Sequence, residues 1–350
     1  MKKKFVVVVF MVLLMSSCLM CGCNKADENS ITVFNYGMYM DPEVLKIFEE
    51  ETGIKVKYEE APTPEELYTK YKSGAVKYDV LCTSEYMLQR LINEGELQEV
   101  DFSTLKNRDN IGDEYFDMCK SFDPDNKYVM PYFWGTVGIL YDKEKVHGDV
   151  DTWDVLFNGE YAGEFIMQNS MRDAYMVALK QLGYSINTTN EAELREAQEL
   201  LIDQKPDVQS YLVDEVKDEL VAGNATLGVV YSGEGYYAGE EREGLVYCIP
   251  REGTNLWIDC FGVTKDCKNV DNAMKFLDYL CREDCAKINF DYVKYASPYL
   301  SVIETMTDKE KASSAINPSK EIINNCEIYV QLPQETTDLL NALWKELKAE

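Results

Sequence analysis

Residues 31–95 read ITVFNYGMYMDPEVLKIFEEETGIKVKYEEAPTPEELYTKYKSGAVKYDVLCTSEYMLQRLINEG, and the alternation within them decides the fold. Ile31 to Asn35 is an apolar strand. Asp41-Pro42 then supplies an N-cap and a first-turn proline, opening a helix through Val44, Leu45, Ile47 and Phe48 that Gly53 stops. Ile54, Val56 and Tyr58 alternate as a second strand, a helix follows over 64–72, and Tyr78 to Cys82 forms a third strand. Ser84 is placed to cap a helix with Leu88, Leu91 and Ile92 on one side, ended by Gly95. Strands and helices in strict alternation predict a parallel α/β sheet. Ligands of such sheets gather at the carboxyl ends of the strands, which puts Tyr36-Gly37-Met38-Tyr39 and Thr83-Ser84-Glu85-Tyr86 on one lip.

The pattern restarts further along. Val129 to Tyr141 is a long β-rich stretch interrupted by Pro131 and Gly135, as expected of a strand crossing between lobes. Helical periodicity follows over 172–182 and 191–202. Leu227 to Tyr231 reads as a buried strand ending in a turn, Ser232-Gly233-Glu234-Gly235, and Leu245 to Val263 as a second crossing broken at Gly253. Amphipathic helices are expected over 271–288 and 338–348. Two α/β lobes joined by two or more crossings result.

The first 24 residues, MKKKFVVVVFMVLLMSSCLMCGCN, have the basic, apolar and small-residue parts of a signal peptide. The apolar run from Phe5 to Met15 is too short to span a bilayer comfortably. Leu19-Met20-Cys21-Gly22-Cys23 resembles a bacterial lipobox, with Gly22 favouring Cys23 as the lipidated residue and Cys18 as a competing acceptor. Two or more acyl chains on one terminus are what stable anchoring requires. Residues 1–22 are therefore expected to be removed and 23–30 to act as a tether, placing the protein outside the cytoplasm and anchored to the membrane through its N-terminal lipid.

Composition narrows the function. The 350 residues carry 62 Asp+Glu against 35 Lys+Arg, a formal net charge of −27, and leave no cationic excess with which to displace counterions from a nucleic acid. A small cation is what such a field attracts. A single histidine, His147, excludes chemistry built on a His pair or a His-based zinc cluster, so no metal or cofactor is expected. No GxSxG elbow or HExxH is present, and Ser232-Gly233-Glu234-Gly235 lacks the preceding glycine of an elbow, so a secreted hydrolase has no support and no catalytic residue is assigned. Eight cysteines follow Cys23, with Cys281 and Cys285 expected on one face of a helix; export permits disulfides, and buried free thiols are the simpler expectation.

Tyr36, Tyr39, Tyr86, Tyr231, Trp257 and Tyr295 all fall at the ends of apolar strands or beside turns, where aromatics can line a cleft. Asp259, two residues after Trp257, lies on the same strand face, and a carboxylate buried there is costly unless something cationic pairs with it. Asp173 poses the same question at a helix start, where it also complements the helix dipole.

Five stretches together resemble the spermidine/putrescine-binding proteins of bacterial polyamine ABC importers. They are Phe34 to Tyr39 with the helix running to Lys57, Tyr78 to Tyr86, Met130 to Gly135, Met171-Arg172-Asp173-Ala174 with Leu182 to Thr189, and Glu252 to Asp259. The likeness runs in the same order from Ile31 to the C-terminus, and the Met171–Thr189 stretch is its most specific part. It implies a two-lobed periplasmic-binding-protein fold with a mixed, mostly parallel sheet in each lobe, helices flanking it and a ligand cleft between. Residues 31–133 plus 257–303 are expected to form one lobe, and 134–256 plus 304–350 the other.

The resemblance also implies that Tyr36, Tyr39, Ser84, Tyr86, Asp173, Tyr231, Trp257, Asp259 and Tyr295 line the site. A polyamine's methylenes suit aromatic walls, and its ammonium groups suit ring faces and carboxylates. Asp259 and Asp173 are the expected ammonium anchors, with Tyr36, Tyr231 and Trp257 as walls. Relatives often carry tryptophan where this chain has Tyr36 and Tyr231, and some carry a carboxylate where it has Ser170, so that one anionic contact is either missing or supplied by another residue such as Glu85 or Glu234, which leaves the choice of polyamine open. Aligning the family's C-terminal glutamine contact with Gln331 needs a gap, so Gln331 is left out of the site. The implied function is a non-catalytic, monomeric receptor that delivers its ligand to ABC permease subunits driven by a cytoplasmic ATPase. Another organic cation in the same fold, or a sensor that presents ligand to a receptor, are the alternatives.

Overall fold

The computed structural model describes residues 29–349, so the expected signal peptide, with Cys18 and Cys23, lies outside the described residues. The described residues form nine strands in chain order: β1 (Ser30–Tyr36), β2 (Lys55–Ala61), β3 (Val80–Ser84), β4 (Val129–Asp142), β5 (Phe165–Gln168), β6 (Val208–Leu212), β7 (Leu227–Tyr231), β8 (Leu245–Cys248) and β9 (Leu256–Val263). The helices that position the site and its supports are α1 (Pro42–Thr52), α2 (Pro64–Ser73), α3 (Glu85–Asn93), α4 (Asp113–Cys119), α5 (Met171–Gln181), α6 (Glu191–Gln204), α7 (Val216–Ala222), α8 (Ser232–Glu241), α9 (Val270–Leu280) and α10 (Glu283–Val293).

The first two helices form where their punctuation puts them. The Asp41 side chain accepts the Glu43 N–H at 2.9 Å, Pro42 occupies the first turn, and Gly53 closes α1 with a left-handed φ of 71°. Thr63 caps α2 in the same way, accepting the Glu66 N–H at 3.2 Å. Ser84 precedes α3 as expected, yet its side chain makes no capping hydrogen bond.

The sheet runs β2-β1-β3-β9-β4-β7-β5-β6, with β8 also paired to β4. β1 pairs in parallel with β2 and β3, and β5 in parallel with β6 and β7. Every antiparallel pairing involves one of the two crossings, β4 or β9. β4 is buried along its whole length; it pairs with β9 from Val129 to Thr136, then with β7 from Val137 and β8 from Ile139. Its register shifts between Pro131, which has no N–H to donate, and Phe133.

Two hydrophobic cores flank this crossing. Phe34, Phe48, Tyr132, Phe133, Phe261, Phe276 and Phe290 belong to the first. Trp153, Phe165 and Tyr175 belong to the second, with Leu340, Leu343 and Leu347 from the terminal helix Gln334–Ala349. Each fully buried side chain of this size contributes roughly 1.5–3 kcal/mol. Tyr86 and Tyr231 pack against both cores, which places them at the boundary.

Two sequence expectations change. Ser232 to Gly235 is the first turn of α8, not a turn between strands. Its glycines serve packing: a Cβ on Gly233 would lie 2.3 Å from Tyr295 Cδ1, and one on Gly235 2.5 Å from Tyr247 Cδ2. The helix expected over 271–288 is broken into α9 and α10, with Arg282 extended between them at φ −65° and ψ 144°. Its guanidinium pairs with Glu51 of α1 and Asp284 of α10, so an ion-pair network holds the break. Cys281 and Cys285 consequently sit on either side of it instead of on one helix face. Cys82, Cys119, Cys248, Cys260, Cys267, Cys281, Cys285 and Cys326 are all free thiols, Cys119 and Cys260 lying 3.6 Å apart at sulfur.

The β4 crossing requires close approach at Gly138, where a Cβ would lie 2.4 Å from the Cys248 carbonyl oxygen and 2.5 Å from the Tyr247 ring. Gly138→Ala is expected to destabilise the protein by about 1–3 kcal/mol through overpacking. Thermal or denaturant unfolding measures it, and an unchanged midpoint would contradict this packing of β4 on β8.

Candidate ligand-binding site

Three strand-to-helix junctions supply the site. β3 ends at Ser84 and α3 begins at Glu85, β7 ends at Tyr231 and α8 begins at Ser232, and β5 leads through Asn169 and Ser170 into α5. Helix N-termini carry partial positive charge and favour anions. Here each first turn already holds a carboxylate, Glu85 in α3, Asp173 in α5 and Glu234 in α8.

Asp259 lies in β9, paired with Ser84 of β3 on one side and Phe133 of β4 on the other. It is 8% exposed, and its Oδ2 accepts the Tyr39 hydroxyl at 2.7 Å. Burial pushes its carboxyl up to about 7, with the Tyr39 hydrogen bond pulling the other way. Aromatic rings surround it: Tyr39 meets Tyr36 at 5.6 Å and Tyr295 at 5.9 Å between centroids, and Tyr295 stands edge-on to Trp257 at 5.0 Å and 86°. Two glycines make room for these rings. Besides Gly233 against Tyr295, a Cβ on Gly135 would lie 2.5 Å from Trp257 Cζ2. Tyr36 is fixed by its hydroxyl, 2.8 Å from Thr83 Oγ1 and accepting the Ser84 N–H at 3.2 Å.

Asp173 forms the second acidic station. It is 3% exposed, and its two oxygens accept the hydroxyls of Tyr231 at 2.8 Å and Tyr329 at 3.1 Å. Ser170, at the position where some relatives carry a carboxylate, is the N-cap of α5 and accepts the Asp173 N–H at 3.5 Å. Arg172 stacks its guanidinium 4.2 Å from the Tyr329 ring centroid and donates to Asn187 Oδ1 at 3.2 Å, holding the C-terminal segment against α5.

Tyr86 lies between the two stations, within electrostatic reach of both Tyr36 and Tyr231, and donates its hydroxyl to Glu65 at 2.9 Å. All nine expected residues are thus joined in one region. Tyr39, Tyr36, Ser84, Trp257 and Tyr295 cluster on Asp259, Tyr231 clusters on Asp173, and Tyr86 stands between. Tyr329 was not foreseen, because the segment before the terminal helix has no periodicity to place it. Gln331, two residues on, is exposed; its N–H donates to Gln89 at 2.6 Å and its side chain accepts from Asn93 at 3.0 Å. Ring faces and buried hydrogen-bond acceptors in this arrangement suit an aliphatic chain bearing cations.

Residues 43–318 match the bacterial extracellular solute-binding protein family, and the chain belongs to that family. It is 31% identical over 312 residues to the spermidine/putrescine-binding periplasmic protein of Escherichia coli strain K12, covering 88% of each chain. Over 341 residues it is 30% identical to the putrescine-binding periplasmic protein SpuD of Pseudomonas aeruginosa strain UCBPP-PA14, covering 93% of each. Among solved structures it is similar to the spermidine/putrescine ABC transporter substrate-binding protein PotD of Streptococcus pneumoniae, with 34% identity, a TM-score of 0.84, and coverage of 92% of this chain and 99% of that one. The fold is the two-lobed periplasmic-binding-protein type.

Tyr231→Phe and Tyr329→Phe each remove a hydroxyl donor from a buried carboxylate. Each is expected to destabilise the unliganded protein by about 1–3 kcal/mol, with a non-additive double variant. Denaturant titration reads the effect; full stability in both single variants would contradict the hydrogen bonding described for Asp173.

Proposed function

We propose that this protein is an extracytoplasmic receptor that captures spermidine or putrescine in the cleft and delivers it to an ABC importer by lobe closure. The observation that carries this reading is the pair of stations. Asp259 and Asp173 are buried carboxylates, each held by tyrosine hydroxyls and set among aromatic side chains, and neither forms an ion pair with a Lys or Arg among the described residues. Such groups call for a cation from outside. The relatives named above are binding proteins for the same amines, which supports the assignment.

In this reading Tyr36, Tyr39, Trp257 and Tyr295 wall the methylene chain at the Asp259 end, Ser84 and Tyr86 add hydroxyl and ring contacts, and Tyr231 and Tyr329 orient Asp173. The lobes comprise 31–133 with 257–303 and 134–256 with 304–350. Ligand contacts shared between Asp259 of one and Asp173 of the other favour the closed form through their differential interaction. The Gln331 contacts with Gln89 and Asn93 of α3 tie the C-terminal segment to the first lobe and add to closure. The protein binds and does not catalyse, acts as a monomer, is acylated at Cys23 after removal of residues 1–22, and presents its closed shape to permease subunits.

The test is a thermal-unfolding panel on the mature protein in moderate salt, with putrescine, spermidine, spermine, cadaverine, lysine, choline and maltose. A ligand at a hundred times its Kd adds about 2.7 kcal/mol. Polyamines are expected to raise Tm and maltose to leave it unchanged; stabilisation by lysine or choline alone would transfer the site to a different organic cation. Asp259→Asn should weaken polyamine binding at least about 30-fold, corresponding to about 2 kcal/mol. Undiminished affinity in isothermal titration would remove Asp259 from the site.

A further inference from the structure

A second acid, Glu85, reaches the backbone next to Asp259. Ser84 is the partner of Asp259 in the β3–β9 register, so Glu85, the next residue, begins α3 alongside it, and Glu85 Oε2 accepts the N–H of Ile258 at 3.3 Å. Glu85 is 1% exposed and, like Asp259, has no ion pair with a Lys or Arg among the described residues. Asp259 receives a hydroxyl at Oδ2 only, and its Oδ1 accepts no hydrogen bond among the described residues. Two adjacent carboxylates in a low-dielectric setting repel one another and lose hydration, and such a pair is relieved either by a proton or by a cation.

We propose that Glu85 and Asp259 form a proton-exchanging dyad at the cleft, so that binding of an alkylammonium group expels a proton and affinity falls as the medium acidifies. This rests on the polyamine reading above and adds to it the second carboxylate for which Ser170 is no substitute. The step balances simply. A carboxyl O–H is broken, its proton leaves to the buffer, and the resulting carboxylate pairs with an ammonium group that keeps all its N–H bonds.

The surroundings support the exchange. Glu85 faces Asp259 on β9, Tyr86 on its own helix, Arg172 of α5 and Tyr329 of the C-terminal segment. The one cation among these, Arg172, is engaged by Asn187 and the Tyr329 ring. Asp259 faces Tyr36, Tyr39 and Tyr295, together with the thiols of Cys82 and Cys260. Burial first and then the neighbouring Asp259 push the Glu85 carboxyl up to about 8, and burial pushes Asp259 up to about 7. Alkylammonium groups stay charged across this range, as lysine does. Affinity therefore rises with pH from 6 to 8 and levels off above it. Unliganded stability runs the opposite way: the folded protein binds protons more tightly than the unfolded chain, so stability declines as pH rises from the ordinary carboxylate range towards 8.

Titration calorimetry of the wild-type mature protein with spermidine and with putrescine at pH 7, in phosphate and in imidazole buffer, tests the proposal. The expected result is a binding enthalpy that changes with buffer as release of about half a proton or more requires, with affinity at least about tenfold weaker at pH 6 than at pH 8. Tight binding with no proton release and the same affinity at both pH values overturns the dyad while leaving the polyamine reading intact; absence of binding to either amine at any pH overturns both. Glu85→Gln should bind with reduced proton release and a flatter pH profile, and proton release equal to wild type would exclude Glu85. If this variant does not fold, the wild-type buffer comparison alone decides.

Discussion

The antiparallel pairing of β9 with both β3 and β4 is the constraint on which the site depends. It holds Asp259 between Ser84 and Phe133, sets Trp257 against Gly135, and brings Glu85 to the backbone of Ile258. A one-residue slip of this register would turn Asp259 to the opposite face of the sheet. β4 itself runs on from its pairing with β9 to pair with β7 and β8. One set of backbone hydrogen bonds therefore specifies both the crossing and the acidic station beside it.

Electrostatics adapt this scaffold to its cargo. The carboxyl ends of strands, followed by helix N-termini, form a naturally anion-seeking surface. Carboxylates at Glu85, Asp173 and Glu234 occupy the first turns of three such helices and reverse the sign of what they attract. The cost is desolvation, visible in the carboxyls of Glu85 and Glu234, which burial pushes up to about 8 and about 7. Glu234 is partly relieved by Lys217 at 3.3 Å, whereas Glu85 and Asp259 have no such partner among the described residues.

Much of this was legible in the chain. Asp41-Pro42 and Gly53 bounded α1, the crossings at Val129–Tyr141 and Leu245–Val263 were visible as long β-rich runs, and the spacing of Trp257 and Asp259 put both on one strand face. Local rules read these well because caps, periodicity and strand alternation are properties of neighbouring residues. They misread Ser232 to Gly235, where two glycines resemble a turn but are small to accommodate Tyr295 and Tyr247 from distant segments. They also ran α9 and α10 together, since the break at Arg282 depends on Glu51, more than two hundred positions away.

The sequence alone determined the α/β alternation, the acidic balance of the chain, and the residue types that gather around Asp259 and Asp173. Tertiary structure decided which of those residues act together. Tyr329 donates to Asp173, Ser170 caps α5, and Glu85 accepts the N–H of Ile258, next to Asp259 in the chain. These pairings join positions up to 173 residues apart, and no periodicity within a segment encodes a contact set by the register of a sheet and the packing of its helices.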